Sequence, residues 1–296
     1  MTNVTLQRFM PGPASATLVI AMSAVCFGLV PLFVRDLQAE GSGPATIALY
    51  RYGFSALLLL PFLRLDRARL PHVLVYAGAG AVMGLSLIGY FDALSGAPVA
   101  AVGVVYMSYP VFAALFAWLL LRQQLTMRSL AAAALVTGAA ALLLDPAVLS
   151  PDDIAALVWA IPAPVAFGLL VVVMSGVAGR LTSTERAGWV LMGSVAGLLP
   201  LALREGALMP SSSGAWETVV TMGVVTALVP QLLYTVACQR VGPVRTAAAG
   251  SFELPTMLLV GWLAFGEVVG IREALSAALV LSAILLAPTV RTTSET

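Results

Sequence analysis

Ten stretches of largely apolar residues follow one another along this chain, at roughly 14–34, 44–63, 71–94, 98–121, 127–145, 153–178, 185–203, 215–239, 244–264 and 270–290. A helix of about 20 apolar residues crosses the hydrocarbon of a bilayer. In that solvent the backbone must satisfy its own N–H and C=O groups, which helices do. Charged residues make up only 10% of the chain, against about 25% in soluble domains, too few to cover a water-facing surface. The expected fold is therefore an all-α integral membrane protein of ten transmembrane helices, with the lipid bilayer as its solvent. The first stretch is longer than the apolar core of a cleaved leader, and it is read as a membrane helix.

The distribution of Arg sets the orientation. With ten spans and both termini on one side, that side carries Arg8, Arg64, Arg67, Arg69, Arg122, Arg128, Arg180, Arg186, Arg240, Arg245 and Arg291. The opposite side carries Arg35, Arg204 and Arg272, and Arg51 lies inside a span. Positive residues favour the cytoplasmic face, so both termini are expected in the cytoplasm of a cell whose inner membrane holds the protein. The connectors are too short for a soluble catalytic domain.

Several chemistries are excluded. There is no Lys, hence no phosphate-binding Gly-x-x-x-x-Gly-Lys-[Ser/Thr] loop. His72 is the one histidine, and Cys26 and Cys238 have no ligand spacing, so neither a metal site nor a cofactor is expected. No basic tract points to nucleic acid.

A shift of 145 residues lays Ala97-Pro98-Val99 over Gly242-Pro243-Val244, Pro110 over Pro255, Leu130 over Leu275 and Ala132-Ala133 over Ala277-Ala278. At a similar offset Cys26-Phe27-Gly28-Leu29 parallels Ala166-Phe167-Gly168-Leu169. The chain thus reads as two five-span repeats, 1–146 and 147–296. Five is odd, so the second repeat enters the membrane from the opposite side. Arg122 and Glu267 occupy matching positions, their charges following the side of the membrane. Inverted repeats are characteristic of secondary transporters.

Phe27-Gly28, Arg51 within Leu49-Tyr50-Arg51-Tyr52, Pro98, Pro110, Pro243, Pro255 and Glu267 together resemble the motifs of the drug/metabolite transporter superfamily, in its EamA-type ten-helix branch. The resemblance spans nearly the whole chain. In that family a Glu usually follows the fourth helix as well as the ninth; here Arg122-Gln123-Gln124 stands in its place. Length and aromatic content are similar to those of the aromatic amino-acid exporters of the superfamily. That resemblance implies export of aromatic and other neutral amino acids by alternating access, through a cavity built mainly by spans 1, 3, 4, 6, 8 and 9. Working as a monomer is the expectation.

Candidate site residues are polar or aromatic groups at membrane depth, where a centred charge costs about 2.5–3.5 kcal/mol. Glu253, mid-span between Gly250 and Met257, either binds a substrate ammonium or proton, or pairs with Arg51 or caps carbonyls below Pro255. Arg51 is read as a structural anchor, bonding helix-end carbonyls or an acid, or else as a direct substrate contact. Tyr90, Tyr106, Tyr234 and Gln231 offer polar groups to a substrate, or else serve interhelical packing. Phe27, Trp159 and Phe167 are read as aromatic walls. Pro110 and Pro255 are expected to bend spans 4 and 9 around the cavity. Gly80-x-x-x-Gly84 and Gly193-x-x-x-Gly197 permit close packing, within the bundle or between copies.

Overall fold

The computed structural model describes residues 12–142, 150–176, 181–206, 209–210, 212–268 and 270–288. Arg8, Arg180 and Arg291, the acidic Asp145 and the 146/147 boundary fall outside them. The described chain runs as ten helical rods: α1 (Pro13–Ala39), α2 (Pro44–Phe62), α3 (Arg67–Gly96), α4 (Val99–Leu121), α5 (Met127–Ala141), α6 (Pro151–Gly176), α7 (Ser183–Glu205), α8 (Ser213–Val241), α9 (Pro243–Phe265) and α10 (Ile271–Leu286). Eight are long and apolar enough to cross a membrane. The fifth and tenth, at 15 and 16 residues, are shorter than the stretches 127–145 and 270–290, whose last residues lie outside the described ones.

Helix starts follow local chemistry. Thr182 and Ser150 accept the N3 amide hydrogens of Glu185 and Asp153, and those carboxylates reach back, closing capping boxes. Pro occupies the first turn of α2, α6 and α9, where its missing N–H costs nothing.

Helices of the first half pack on helices of the second: α3 and α2 on α7, α1 on α8 and α9, α4 on α6, and α5 on α10. The tightest seam is α3 against α7, where the two Gly-x-x-x-Gly motifs meet. A Cβ at Gly80 would collide with the Val190 carbonyl and one at Gly193 with the Ala77 carbonyl. Ser194 Oγ donates to the Gly80 carbonyl at 2.8 Å. These motifs therefore serve packing within the bundle.

Four rods are interrupted. The fourth breaks at Met107–Ser108 and the ninth at Ser251–Phe252, positions that the 145-residue shift superposes to within one residue. Each break precedes a proline, Pro110 or Pro255, which cannot donate to the carbonyl four residues back. Breaks at Leu29 and Ile161 precede Pro31 and Pro162 in α1 and α6. The Phe-Gly pairs of α1 and α6 are used alike in both halves. A Cβ at Gly28 would stand 2.5 Å from Thr256 Cβ and 2.9 Å from the Glu253 carbonyl of α9; one at Gly168 would stand 2.7 Å from Phe112 Cβ of α4. In each half, glycine admits the broken helix of the other.

Carboxylates join rod ends. Glu267, just beyond α9, accepts the amide hydrogens of Val99 (2.9 Å) and Ala100 (3.4 Å) at the start of α4, with Arg35 Nη2 3.8 Å away. Glu205 caps α2 through Ala45 N–H, Thr46 N–H and Thr46 Oγ1 at 2.8–2.9 Å. Such contacts place negative charge at positive helix ends. At the position matching Glu267, beyond α4, stand Arg122, Gln123 and Gln124, and a cavity of about 260 Å³ opens between Gln123, Gln124, Thr126 and Val244 of α9.

Candidate functional site

Pro230 leaves the Thr226 carbonyl of α8 without its usual amide donor, and α8 widens there into a π turn at Val224–Leu228. Arg51 of α2 supplies the donor, with Nε at 3.3 Å and Nη2 at 2.9 Å from the Thr226 oxygen. One turn along α2, Ser55 Oγ donates to the Gly223 carbonyl at 2.8 Å. Arg51 and Ser55 share a helix face by their i, i+4 spacing, so one stripe of α2 satisfies the irregular backbone of α8.

This junction forms one wall of a buried cavity lined by Phe27, Val30, Arg51, Tyr52, Met83, Leu87, Tyr90, Tyr106, Phe167, Leu170, Thr226, Ala227, Gln231 and Glu253. Its open volume is about 20 Å³, room for about one water molecule. Seven rods contribute, α1, α2, α3, α4, α6, α8 and α9, so both halves do.

Aromatic rings form its fabric. Tyr90 and Tyr106 have centroids 4.9 Å apart, Tyr106 stacks on Phe167 at 5.6 Å, and Phe27 meets Phe167 edge-on at 6.4 Å. Tyr109 lies 4.8 Å from Phe167, and its hydroxyl donates to the Ala247 carbonyl of α9 at 2.8 Å, bridging the two broken rods. Such pairs favour edge-on or offset geometry and fix ring positions. Tyr234 packs 6.0 Å from Phe27 and 6.3 Å from Phe167.

Ionisable groups enter this apolar setting through Arg51 and Glu253, 6% and 3% exposed. Glu253 opens the second segment of α9, just past its break. Its Oε2 has no hydrogen-bond partner, nor has the Tyr234 hydroxyl, and no ion pair joins Glu253 to Arg51 among the described residues. An acidic and a basic side chain thus face one small cavity without touching.

Of the residues singled out from sequence, Phe27, Tyr90, Tyr106, Phe167, Gln231 and Glu253 converge on the cavity, as does Arg51. Tyr234 lies behind it, in ring contact with Phe27 and Phe167. Pro110 and Pro255 stand at the breaks of α4 and α9. Trp159 lies elsewhere: it is 57% exposed and borders an outward-facing apolar groove of about 540 Å³ between α3 and α6. It precedes the α6 break at Ile161 whereas Phe167 follows it, and eight residues of helix set the two about 12 Å apart along the axis.

Sequence reasoning passed over α2 as a wall, and with it Tyr52. It also passed over Thr226. The Pro230 signal was available, since a proline within a span names the carbonyl four residues earlier as needing a donor.

Comparison with known proteins gives concordant results. The sequence model described as "EamA-like transporter family" matches residues 14–145 and again 154–288. An "Uncharacterized transporter" of Archaeoglobus fulgidus is 27% identical over 275 residues, 90% of this chain and 94% of that one. A "Riboflavin transporter" of Rhizobium johnstonii is 27% identical over 274 residues, 90% of this chain and 88% of that one. A solved crystal structure at 19% identity superposes with a TM-score of 0.73 over 92% of this chain and 98% of the other; at that identity the likeness concerns the fold.

Proposed function

Because the chain belongs to the EamA-like transporter family, membrane carriers of small molecules and not enzymes, we propose that it is a secondary transporter exporting amino acids, aromatic and other neutral ones. The observation that carries this reading is the buried Glu253 carboxylate, lacking a partner on Oε2 and set beside aromatic rings in a cavity built by both halves. A carboxylate complements a substrate ammonium, and the rings of Phe27, Tyr106 and Phe167 complement an apolar or aromatic side chain.

At about 20 Å³ the cavity is far below the roughly 300–1,000 Å³ of ligand-holding sites. In this reading the arrangement is the closed one, and a substrate enters when the two halves, inverted with respect to each other, move apart at one membrane face and then at the other. The rods broken beside Pro110 and Pro255 are where that motion is absorbed. The protein sits as a monomer in a bacterial inner membrane with both termini in the cytoplasm, and the gradient of the substrate, with or without protons, supplies the energy without a cofactor.

A second reading is carriage of a flat, uncharged heterocycle. It is favoured by the relative named a riboflavin transporter and by the stacked Tyr106–Phe167 pair. Exchange in proteoliposomes preloaded with labelled phenylalanine separates the two. Inhibition by external phenylalanine and threonine, with none by riboflavin or a lipophilic cation, supports amino-acid export. Flux of labelled riboflavin that amino acids leave untouched supports the second reading; saturable flux of the lipophilic cation alone indicates a multidrug exporter.

A further inference from the structure

Arg51 was assigned above a backbone role, yet that role occupies only part of its guanidinium. Its hydrogen bonds to Thr226 engage Nε and Nη2, while the group carries five N–H donors in a rigid fork. Among the described residues Nη1 makes none of the hydrogen bonds, and Arg51 lines the cavity. Phe27 and Tyr52 flank it, with ring centroids 5.9 and 5.3 Å from Cζ, within cation–π range.

Buried opposite charges attract strongly, and each alone carries a heavy desolvation cost. Arg51 and Glu253 nevertheless form no ion pair. Arg51 is tied to the carbonyl that Pro230 leaves without a donor, and Glu253 is tied to the start of the second α9 segment. The backbone thus holds an acid and a base on a shared cavity, each with unused hydrogen-bonding capacity. A ligand of one charge would satisfy only one of them. A ligand carrying both would satisfy both.

We propose that Arg51 and Glu253 are the two poles of a zwitterion site: Arg51 takes the substrate carboxylate, bidentate where the fork allows, and Glu253 takes the ammonium. Resting on the amino-acid reading, this specifies how the cavity recognises its substrate. Selection falls on the α-amino-acid group, and the side chain needs only to be uncharged, because Met83, Leu87, Leu170 and the rings that receive it make no polar demand.

The test is equilibrium binding by calorimetry to the full-length protein in detergent, with phenylalanine, 2-phenylethylamine (no carboxylate) and 3-phenylpropionate (no ammonium). Wild type is expected to bind phenylalanine at least tenfold more tightly than either analogue. Glu253→Gln is expected to abolish the preference over 3-phenylpropionate alone, and Arg51→Gln the preference over 2-phenylethylamine alone. Where Arg51→Gln does not fold, the wild-type comparison decides, and Pro230→Ala in the same chain returns an amide donor to Thr226. If 2-phenylethylamine or 3-phenylpropionate binds wild type as tightly as phenylalanine, the two-pole assignment is overturned while amino-acid recognition stands. If neither phenylalanine nor any other amino acid binds and riboflavin does, both fall.

Discussion

Arg51 and Thr226 are 175 residues apart in sequence and are joined by a 2.9 Å hydrogen bond from Nη2 to the carbonyl that Pro230 cannot serve. The bond links α2 of the first half to the π turn of α8 in the second. Replacing Arg51 by Met leaves this buried carbonyl unsatisfied and is expected to cost about 2 kcal/mol. Adding Pro230→Ala restores an N–H four residues downstream and should recover part of that loss. Thermal unfolding of the single and double variants in detergent gives the coupling; equal destabilisation with and without Pro230→Ala would contradict the relationship.

The α3–α7 seam predicts a sharp contrast among glycines. Gly80→Val and Gly193→Val drive a side chain into the facing backbone and are expected to cost 3 kcal/mol or more, roughly the upper range for overpacking. Gly78 has nothing within 4 Å of its missing Cβ, and Gly78→Ala is expected to be neutral or stabilising by up to about 1 kcal/mol. Expression and melting temperature of the three variants test this.

Phe167 and Trp159 lie on one rod and are both aromatic, yet only Phe167 reaches the cavity. Phe167→Ala is expected to lower substrate exchange at least tenfold. Trp159→Ala is expected to leave it within about twofold, because its ring lies on the outer groove and not on the cavity. Exchange rates normalised to protein in the vesicle check both.

Ten helical rods were legible, eight of them long and apolar enough to cross a membrane, because lipid imposes a length and an apolar composition on a span, and the cavity aromatics because repeat-related Phe27 and Phe167 precede glycines that let helices approach. Trp159 was misleading for a local reason. Its type suits a cavity wall, but the break at Ile161 ahead of Pro162 separates it from Phe167, and it stands about 12 Å away along the rod. The Arg51–Thr226 bond was half legible: Pro230 marks the carbonyl, but which of the available donors reaches it depends on how α2 and α8 cross. The unpaired state of Glu253 is a matter of tertiary geometry alone, since Arg51 is of the right charge to pair with it.

Glu267 ties the end of α9 to the start of α4, and no carboxylate occupies the matching place after α4. The closure at the Glu267 end, read as the outer face, is therefore expected to be the stronger. Glu267→Gln forfeits roughly 1 kcal/mol of helix-terminus interaction, enough to raise the population open at that face about fivefold. Faster reaction of a cavity cysteine from the outer side reports the shift; an unchanged rate would contradict it.

The central claim is that the cavity between the halves opens to each side of the membrane in turn. Ala227 lines it and is 2% exposed; placed as Ala227→Cys in a Cys26→Ser, Cys238→Ser chain, it offers a single thiol at its wall. The most direct measurement is labelling of that thiol by a membrane-impermeant maleimide in right-side-out and in inside-out vesicles. The account predicts labelling in both orientations, slowed by phenylalanine in each. Labelling from one side only, or from neither, would contradict alternating access through this cavity.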